Sequence, residues 1–407
     1  MKYPVKGFLI ATAALFAWST AAAAQDTITL GAAVSLTGKY STNGKFTKDG
    51  YDLAVKKINE KGGVKVGDKS YKLAIKYYDD ESTPARGAEL AERLINQDGV
   101  KFLLGPYSSG LTKAIAPITE KYQVPMVEGN GASRSLFNNG YKYLFAVLST
   151  SEQYLSSAIA LAAEKANAFG KKAQDLKVAG AFENDPFSQD VRAGVIEDAK
   201  SHGMEVVIDD KLPKDLDDMS ATLTKVKALK PDILVVSGHS KGAATGIRQI
   251  AEMKVYVPIL AMTHCDSAQI IKKFGKDAAY ALCASQWAPS LSYKDSLFGS
   301  AADFAKLFKT TYTYDPPYQA AESAASVQVF ADAFTRAGSL DKKAVRDALA
   351  ATDMQTFFGN IKFDATGKNT AKPMVLFQVL DGKYEVVAPT KWAQAKPVIP
   401  APNWSER

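Results

Sequence analysis

Along most of this chain, short apolar runs alternate with longer stretches in which apolar residues recur three and four positions apart. Residues 28–34 read as a buried strand, and residues 48–61 carry Tyr51, Ala54, Val55 and Ile58 on one helix face before Gly62-Gly63 stops the pattern. The pair repeats as strand 72–78, helix 84–97 opened by Pro84, strand 102–104, helix 111–122 and strand 126–128. Past residues 149–151 it starts again: a helix from Glu152, strand 178–182, helix 188–201, strand 205–208, helix 219–229, strand 233–236, helix 243–253 and strand 259–262. Strands that alternate with helices predict mostly parallel sheets covered on both faces, here in two α/β units of similar size. Helices 297–312 and 318–337 then precede short strands at 361–363, 374–379 and 384–387, with a Pro-rich tail from Lys396. That late return to helix and then strand predicts that the chain crosses between the units.

The amino terminus breaks the pattern. Lys2 and Lys6 precede an apolar stretch at 8–18, and Ala22-Ala23-Ala24 stands before Gln25, the order of a secretory signal cleaved after Ala24. The stretch is shorter than the ~20 residues that span a bilayer. Cleavage leaves 383 of the 407 residues and lowers the net charge from +7 to +5. The remaining Lys and Arg are interleaved with acids, as where Lys211 and Lys214 sit among Asp209, Asp210, Asp215, Asp217 and Asp218. These are solvated faces, and no nucleic-acid partner is expected. No later segment is long and apolar enough to cross a membrane, so the expected product is a soluble periplasmic protein.

Three histidines, His202, His239 and His264, and two cysteines lack the spacing of a metal cluster, and neither a metal nor a cofactor is expected. Cys265 and Cys283 pair in an oxidising compartment or stay as buried thiols; spacing alone leaves both open. Phosphate and dinucleotide fingerprints are absent. In open parallel sheets ligands lie beyond the carboxyl ends of strands, which directs attention to two loops. Gly105-Pro106-Tyr107-Ser108-Ser109-Gly110 enters a helix, whose free N–H groups and positive end suit a carboxylate, although Ser108 or Ser109 also suits a plain N-cap. Gly129-Asn130-Gly131-Ala132-Ser133 would let backbone approach a ligand closely. A competing enzyme signal is Gly238-His239-Ser240-Lys241-Gly242, which matches G-x-S-x-G between strand and helix. Its partners would have to be Glu252, mid-helix, and His264, so a hydrolase is the weaker reading and no catalytic residue is expected.

Taken in order, the run 31–44, Ala54-Val55-Lys56-Lys57-Ile58-Asn59-Glu60-Lys61-Gly62-Gly63-Val64, Tyr78-Asp79-Asp80 with Pro84, and Leu104-Gly105-Pro106-Tyr107-Ser108-Ser109 resemble the Leu/Ile/Val-binding periplasmic proteins. These are solute receptors of branched-chain amino acid ABC importers. The resemblance implies a type I periplasmic binding fold, two doubly wound α/β lobes joined by a three-crossing hinge. Lobe 1 would hold 25–147 plus 291–352, and lobe 2 148–290 plus 353–407. It implies a monomer that takes up an amino acid or related small carboxylate and docks on an inner-membrane ABC permease. Ligand contacts would come from Tyr107, Ser108, Ser109, Asn130, Ala132 and Ser133 on one lobe and Phe187, His239 and His264 on the other. The chain departs from leucine or valine binders at three places: Ala132 replaces a threonine hydroxyl, His239 an aromatic hydroxyl, and Thr263 a carboxylate that anchors the ammonium. Glu128, Glu183 or Asp266 would have to substitute, because an unpaired buried charge is costly, or else the solute is an aromatic or short carboxylate or an amide suited to Tyr107, Phe187, Trp287 and the two histidines. A sensor of the same fold would share this pocket.

Overall fold

The computed structural model describes residues 26–407 together with Met1 and Tyr3; the leader and cleavage point expected from the sequence lie outside the described residues. The chain builds β1 (Thr27–Val34), α1 (Ser41–Glu60), β2 (Val64–Val66), β3 (Lys69–Asp79), α2 (Pro84–Asn96), β4 (Leu103–Leu104), α3 (Ser109–Lys121), β5 (Met126–Glu128) and β6 (Leu144–Ala146). Their sheet has the order β2-β3-β1-β4-β5-β6, parallel apart from the β2-β3 hairpin. A second group follows with α4 (Ser156–Glu164), β7 (Lys177–Glu183), α5 (Pro186–Ser201), β8 (Glu205–Leu212), α6 (Ser220–Leu229), β9 (Ile233–Ser237), α7 (Ser240–Glu252), β10 (Ile259–Met262), α8 (Ala268–Phe274) and β11 (Leu282–Ser285). The chain then returns to the first unit through β12 (Lys294–Asp295), β13 (Gly299–Ser300), α9 (Ala301–Tyr312), α10 (Tyr318–Ala337), α11 (Lys342–Ala350), β14 (Asp353–Gln355) and β15 (Asn360–Lys362). It ends on β16 (Val375–Leu380), antiparallel to β11, and β17 (Lys383–Ala388), antiparallel to β16, which extend the second sheet in the order β17-β16-β11-β10-β9-β7-β8.

Both sheets bury near-continuous apolar strands, as fully covered parallel sheets require: Leu30, Ala32 and Val34 in one, Val178, Leu234 and Met262 in the other. The three passages between sheets lie side by side and bond to one another. Ser149 N donates to Gln286 Oε1 at 3.1 Å, Gln286 Nε2 to Ser149 O at 2.8 Å, and Ser149 Oγ to Lys372 O at 2.6 Å. Segment 353–371 stays against the first sheet, because Ala146 N donates to Gly367 O at 2.9 Å and Asn369 Nδ2 to Val147 O at 2.7 Å. The third passage therefore falls at Lys372, after the boundary at 352 that the resemblance implies.

α1 begins at Ser41 rather than at residue 48. Residues 41–47 are mostly polar and show no apolar stripe, yet Asn43, Gly44, Phe46 and Thr47 are buried. A Cβ on Gly44 would stand 1.8 Å from Ser35 O, so the first turn of α1 presses on the chain leaving β1. Tertiary packing fills a turn that the periodicity does not mark.

Candidate functional site at the lobe interface

On the first lobe, the loops after β4 and β5 are tied together before anything else can bind them. Ser109 Oγ accepts the N–H of Ser133 at 2.9 Å, and Ser108 caps α3 by accepting Leu111 N at 3.3 Å from a backbone at φ 84°. Glu128 Oε2 accepts the N–H of Asn130 at 2.8 Å and that of Gly131. Burial pushes the Glu128 carboxyl up to about 7, against the lowering effect of those two N–H groups. Asn130 Nδ2 donates to Ser323 Oγ on α10 at 2.9 Å, while its Oδ1 is buried without a partner. Ala132 O accepts Ser151 N at 2.7 Å. The space beside Gly131 is taken by Thr112, whose Oγ1 would lie 2.3 Å from an added Cβ, so this glycine serves packing of α3 on the loop. Ser133 turns across the interface and bonds the Asp190 carboxylate, which also accepts Ser135 N at 3.1 Å.

The second lobe supplies its wall from three strand ends. Asp185, after β7, caps α5 by accepting Phe187 N at 2.9 Å and Ser188 N at 3.3 Å, with Pro186 in the first turn. His239 enters α7 after β9, and His264 follows β10 with φ 56°. Tyr107 reaches across so that its Oη lies 2.9 Å from His239 Nδ1 and 3.0 Å from His264 Nε2. Tyr318 Oη is 3.3 Å from the same His264 nitrogen. Phe187 packs on both imidazoles at 5.6 and 5.1 Å and on Tyr154 at 5.0 Å, and Tyr40 lies edge-on to Tyr107 and His239 at 5.4 and 4.8 Å. Every one of the nine residues proposed from the sequence is buried.

Burial holds His264 down at about 3, with the His239 charge lowering it further, so it stays neutral. Burial also opposes charge on His239, yet the Asp185 and Glu183 carboxylates outweigh it and raise the imidazole. Asp185 lies below the usual carboxylate range: burial would lift it, but His239 and Ser188 overcome that. Glu183 is raised by burial. Lys39 Nζ, from the first lobe, sits 3.4 Å from Glu183 Oε1 and 3.5 Å from Asp215 Oδ1. Further cross-lobe links are the fork of Arg134 on Glu197, at 3.0 and 2.6 Å, and Ser240 Oγ donating to Asn43 Oδ1 at 3.0 Å. The two lobes are therefore in a closed arrangement.

Beyond Tyr318 a cavity of 270 Å³ opens between Trp287, Phe46, Phe377, Tyr384 and Asp266. Burial raises Asp266 to about 7. The hydrolase reading finds its parts engaged elsewhere: Glu252 pairs with Arg248 at 3.1 Å, and the His264 nitrogen is taken by two tyrosines. Cys265 and Cys283 form a disulfide that ties the loop bearing His264 to β11. Tyr40, Tyr154, Tyr318 and Asp185 were not singled out from the sequence. Tyr40 and Asp185 follow strands β1 and β7, so the strand-end rule that found Tyr107 also reaches them.

A family model described as periplasmic binding protein matches residues 27–383. The chain belongs to that family. The Leu/Ile/Val-binding protein homolog 7 of Brucella suis biovar 1 (strain 1330) is 24% identical over 391 residues, covering 93% of this chain and 95% of the relative. The branched-chain amino acid transporter substrate binding protein LivJ from Streptococcus pneumoniae, solved with isoleucine, superposes with a TM-score of 0.78 at 24% identity over 89% of this chain and 100% of its own. A solute binding protein of an ABC transporter from Rhodopseudomonas palustris BisB5, solved with 3,4-dihydroxy benzoic acid, gives 0.78 at 18% identity over 94% and 100%. These likenesses place this periplasmic binding protein in the type I fold.

Proposed function

We propose that this protein is the solute-binding subunit of an ABC importer, exported with its leader cleaved after about Ala24, monomeric, and docking on an inner-membrane permease. Its solute is an amino acid of the branched-chain type or a related small carboxylate. The observation that carries the reading is the meeting of Tyr40, Tyr107 and Tyr318 from one lobe with Phe187, His239 and His264 from the other. Such a layer grips a small solute on closure and releases it when the lobes part about the three bonded crossings. The first N–H groups of α3, which lack helical acceptors, would hold the carboxylate beside Ser108 and Ser109. Asn130, with its orphan Oδ1, would orient the polar end. Binding alone uses all of these groups, and no turnover of the solute is required.

Ring density favours an aromatic carboxylate as a second reading, since six aromatic or imidazole rings converge here. Mass spectrometry of ligand released from natively purified protein separates the two. Titration calorimetry against branched-chain amino acids and benzoates should then give one site per chain. If members of neither set bind, the carboxylate reading is lost.

A further inference from the structure

The second-lobe wall contains three metal-ligating side chains that the sequence scatters over two strand ends. Glu183, Asp185 and His239 are 2, 7 and 5% exposed, and one ligand atom of each lies within 4.8 Å of the others. Two atoms of the cluster, Asp185 Oδ2 and His239 Nε2, are buried with no hydrogen-bond partner. In proteins generally, buried polar atoms are nearly always satisfied.

Hydrogen bonding around the imidazoles explains which way His239 presents itself. Two tyrosine hydroxyls, Tyr107 at 3.0 Å and Tyr318 at 3.3 Å, converge on His264 Nε2. If Tyr107 accepts from His239 Nδ1, 2.9 Å away, a neutral His239 carries its lone pair on Nε2. That lone pair faces Asp185 Oδ1 at 3.5 Å. The separation is long for a charge-assisted hydrogen bond of about 2.8 Å. For this pair it is close to the edge of a tetrahedron around an ion that keeps its ligands at ~2.0–2.1 Å, about 3.3–3.4 Å, while the three-atom set spans up to 4.8 Å and would contract on binding.

We propose that Glu183, Asp185 and His239 form a site for one divalent cation of the zinc type. An imidazole with two carboxylates suits zinc-like ions better than calcium or magnesium, which take oxygen ligands. Supporting contacts are already in place: Tyr107 orients His239, two α5 N–H groups hold Asp185 Oδ1, and His239 N lies 3.3 Å from Glu183 Oε2. Lys39 balances one of the two carboxylates and belongs to the other lobe, so it withdraws when the lobes part. The ion balances the other and remains with the second lobe.

The test uses tag-free protein stripped with a chelator and titrated with zinc chloride alone, with no solute, followed by elemental analysis after dialysis. One zinc per chain is expected, with Asp185→Asn and His239→Gln each lowering affinity at least tenfold. Asparagine preserves the α5 cap, so Asp185→Asn keeps its fold, checked by an unchanged melting curve. His202→Gln, at an exposed histidine, should change nothing. Absence of stoichiometric zinc, or uptake that survives Asp185→Asn and His239→Gln, overturns the site and leaves His239 as a protonated partner of Asp185. Solute binding is scored separately in chelator, so loss of either result does not entail loss of the other.

Discussion

Glu128 shows how one buried acid organises the loop after β5. Its Oε2 holds two backbone N–H groups of the loop after β5, while Oε1 has no partner. Burial raises its pKa from 4.5 to about 7, so between those values the folded chain keeps a proton that the unfolded chain has lost. Stability from this group is therefore full at low pH and falls as pH rises through that window, by up to about 3 kcal/mol. Urea unfolding at pH 5 and pH 8 should show the difference, and Glu128→Gln, which retains an acceptor oxygen, should shrink it. An unchanged slope in the variant would remove Glu128 from this role. His264 runs the other way: with its pKa lowered to about 3, its contribution is intact above about 6.5 and is lost on acidification. At this scale the strand-end reading singled out Tyr107, and the family resemblance added His239 and His264. The sequence did not reveal that Ser109 and Ser133 are spent on holding loops and lobes, because both bonds join residues remote along the chain.

Elements are set partly by local pattern and partly by what they press against. The alternation of strands and helices follows from apolar spacing and punctuating Gly and Pro, which act over a few residues. The start of α1 does not, because its buried polar turn answers to β1. Gly44→Ala pushes a methyl into Ser35 O and should destabilise by about 2 kcal/mol, read as a lowered melting temperature. A mutant that melts with the parent would show that α1 can lift off at no cost. The disulfide joins the segments after β10 and within β11, parallel neighbours in register at Met262 and Cys283, and closes a short loop of sequence separation 18. Replacing both cysteines by serine should cost about 3 kcal/mol in urea unfolding without reductant. Spacing left the pairing open; adjacency of β10 and β11 brings the two sulfurs together.

Across the whole molecule, closure rests on a few cross-lobe bonds. Asp190 accepts from Ser133 and Ser135 at the rim, where it links α5 to the loop after β5. Asp190→Ala removes this clasp and should shift the population toward the open form, raising the radius of gyration in small-angle scattering. Solute affinity should fall about tenfold, the effect of losing a charged hydrogen bond made only in the closed state. Equal scattering and affinity in the variant would mean that the aromatic layer alone holds the lobes. The hinge is equally a property of the whole: Ser149, Gln286 and Lys372 are far apart in sequence and meet only when three crossings lie side by side.

By itself the sequence determined an α/β chain of two lobes and the strand-end loops that face the cleft, since periodicity and turn chemistry are local. Tertiary structure decided which ends meet. Because β9 lies beside β7, with β8 at the sheet edge, Glu183, Asp185 and His239 share one wall, and closure sets Tyr107 against both histidines. Three scattered histidines gave no reason to expect a metal; two carboxylates and one imidazole converge because sheet order, not chain order, sets their distances.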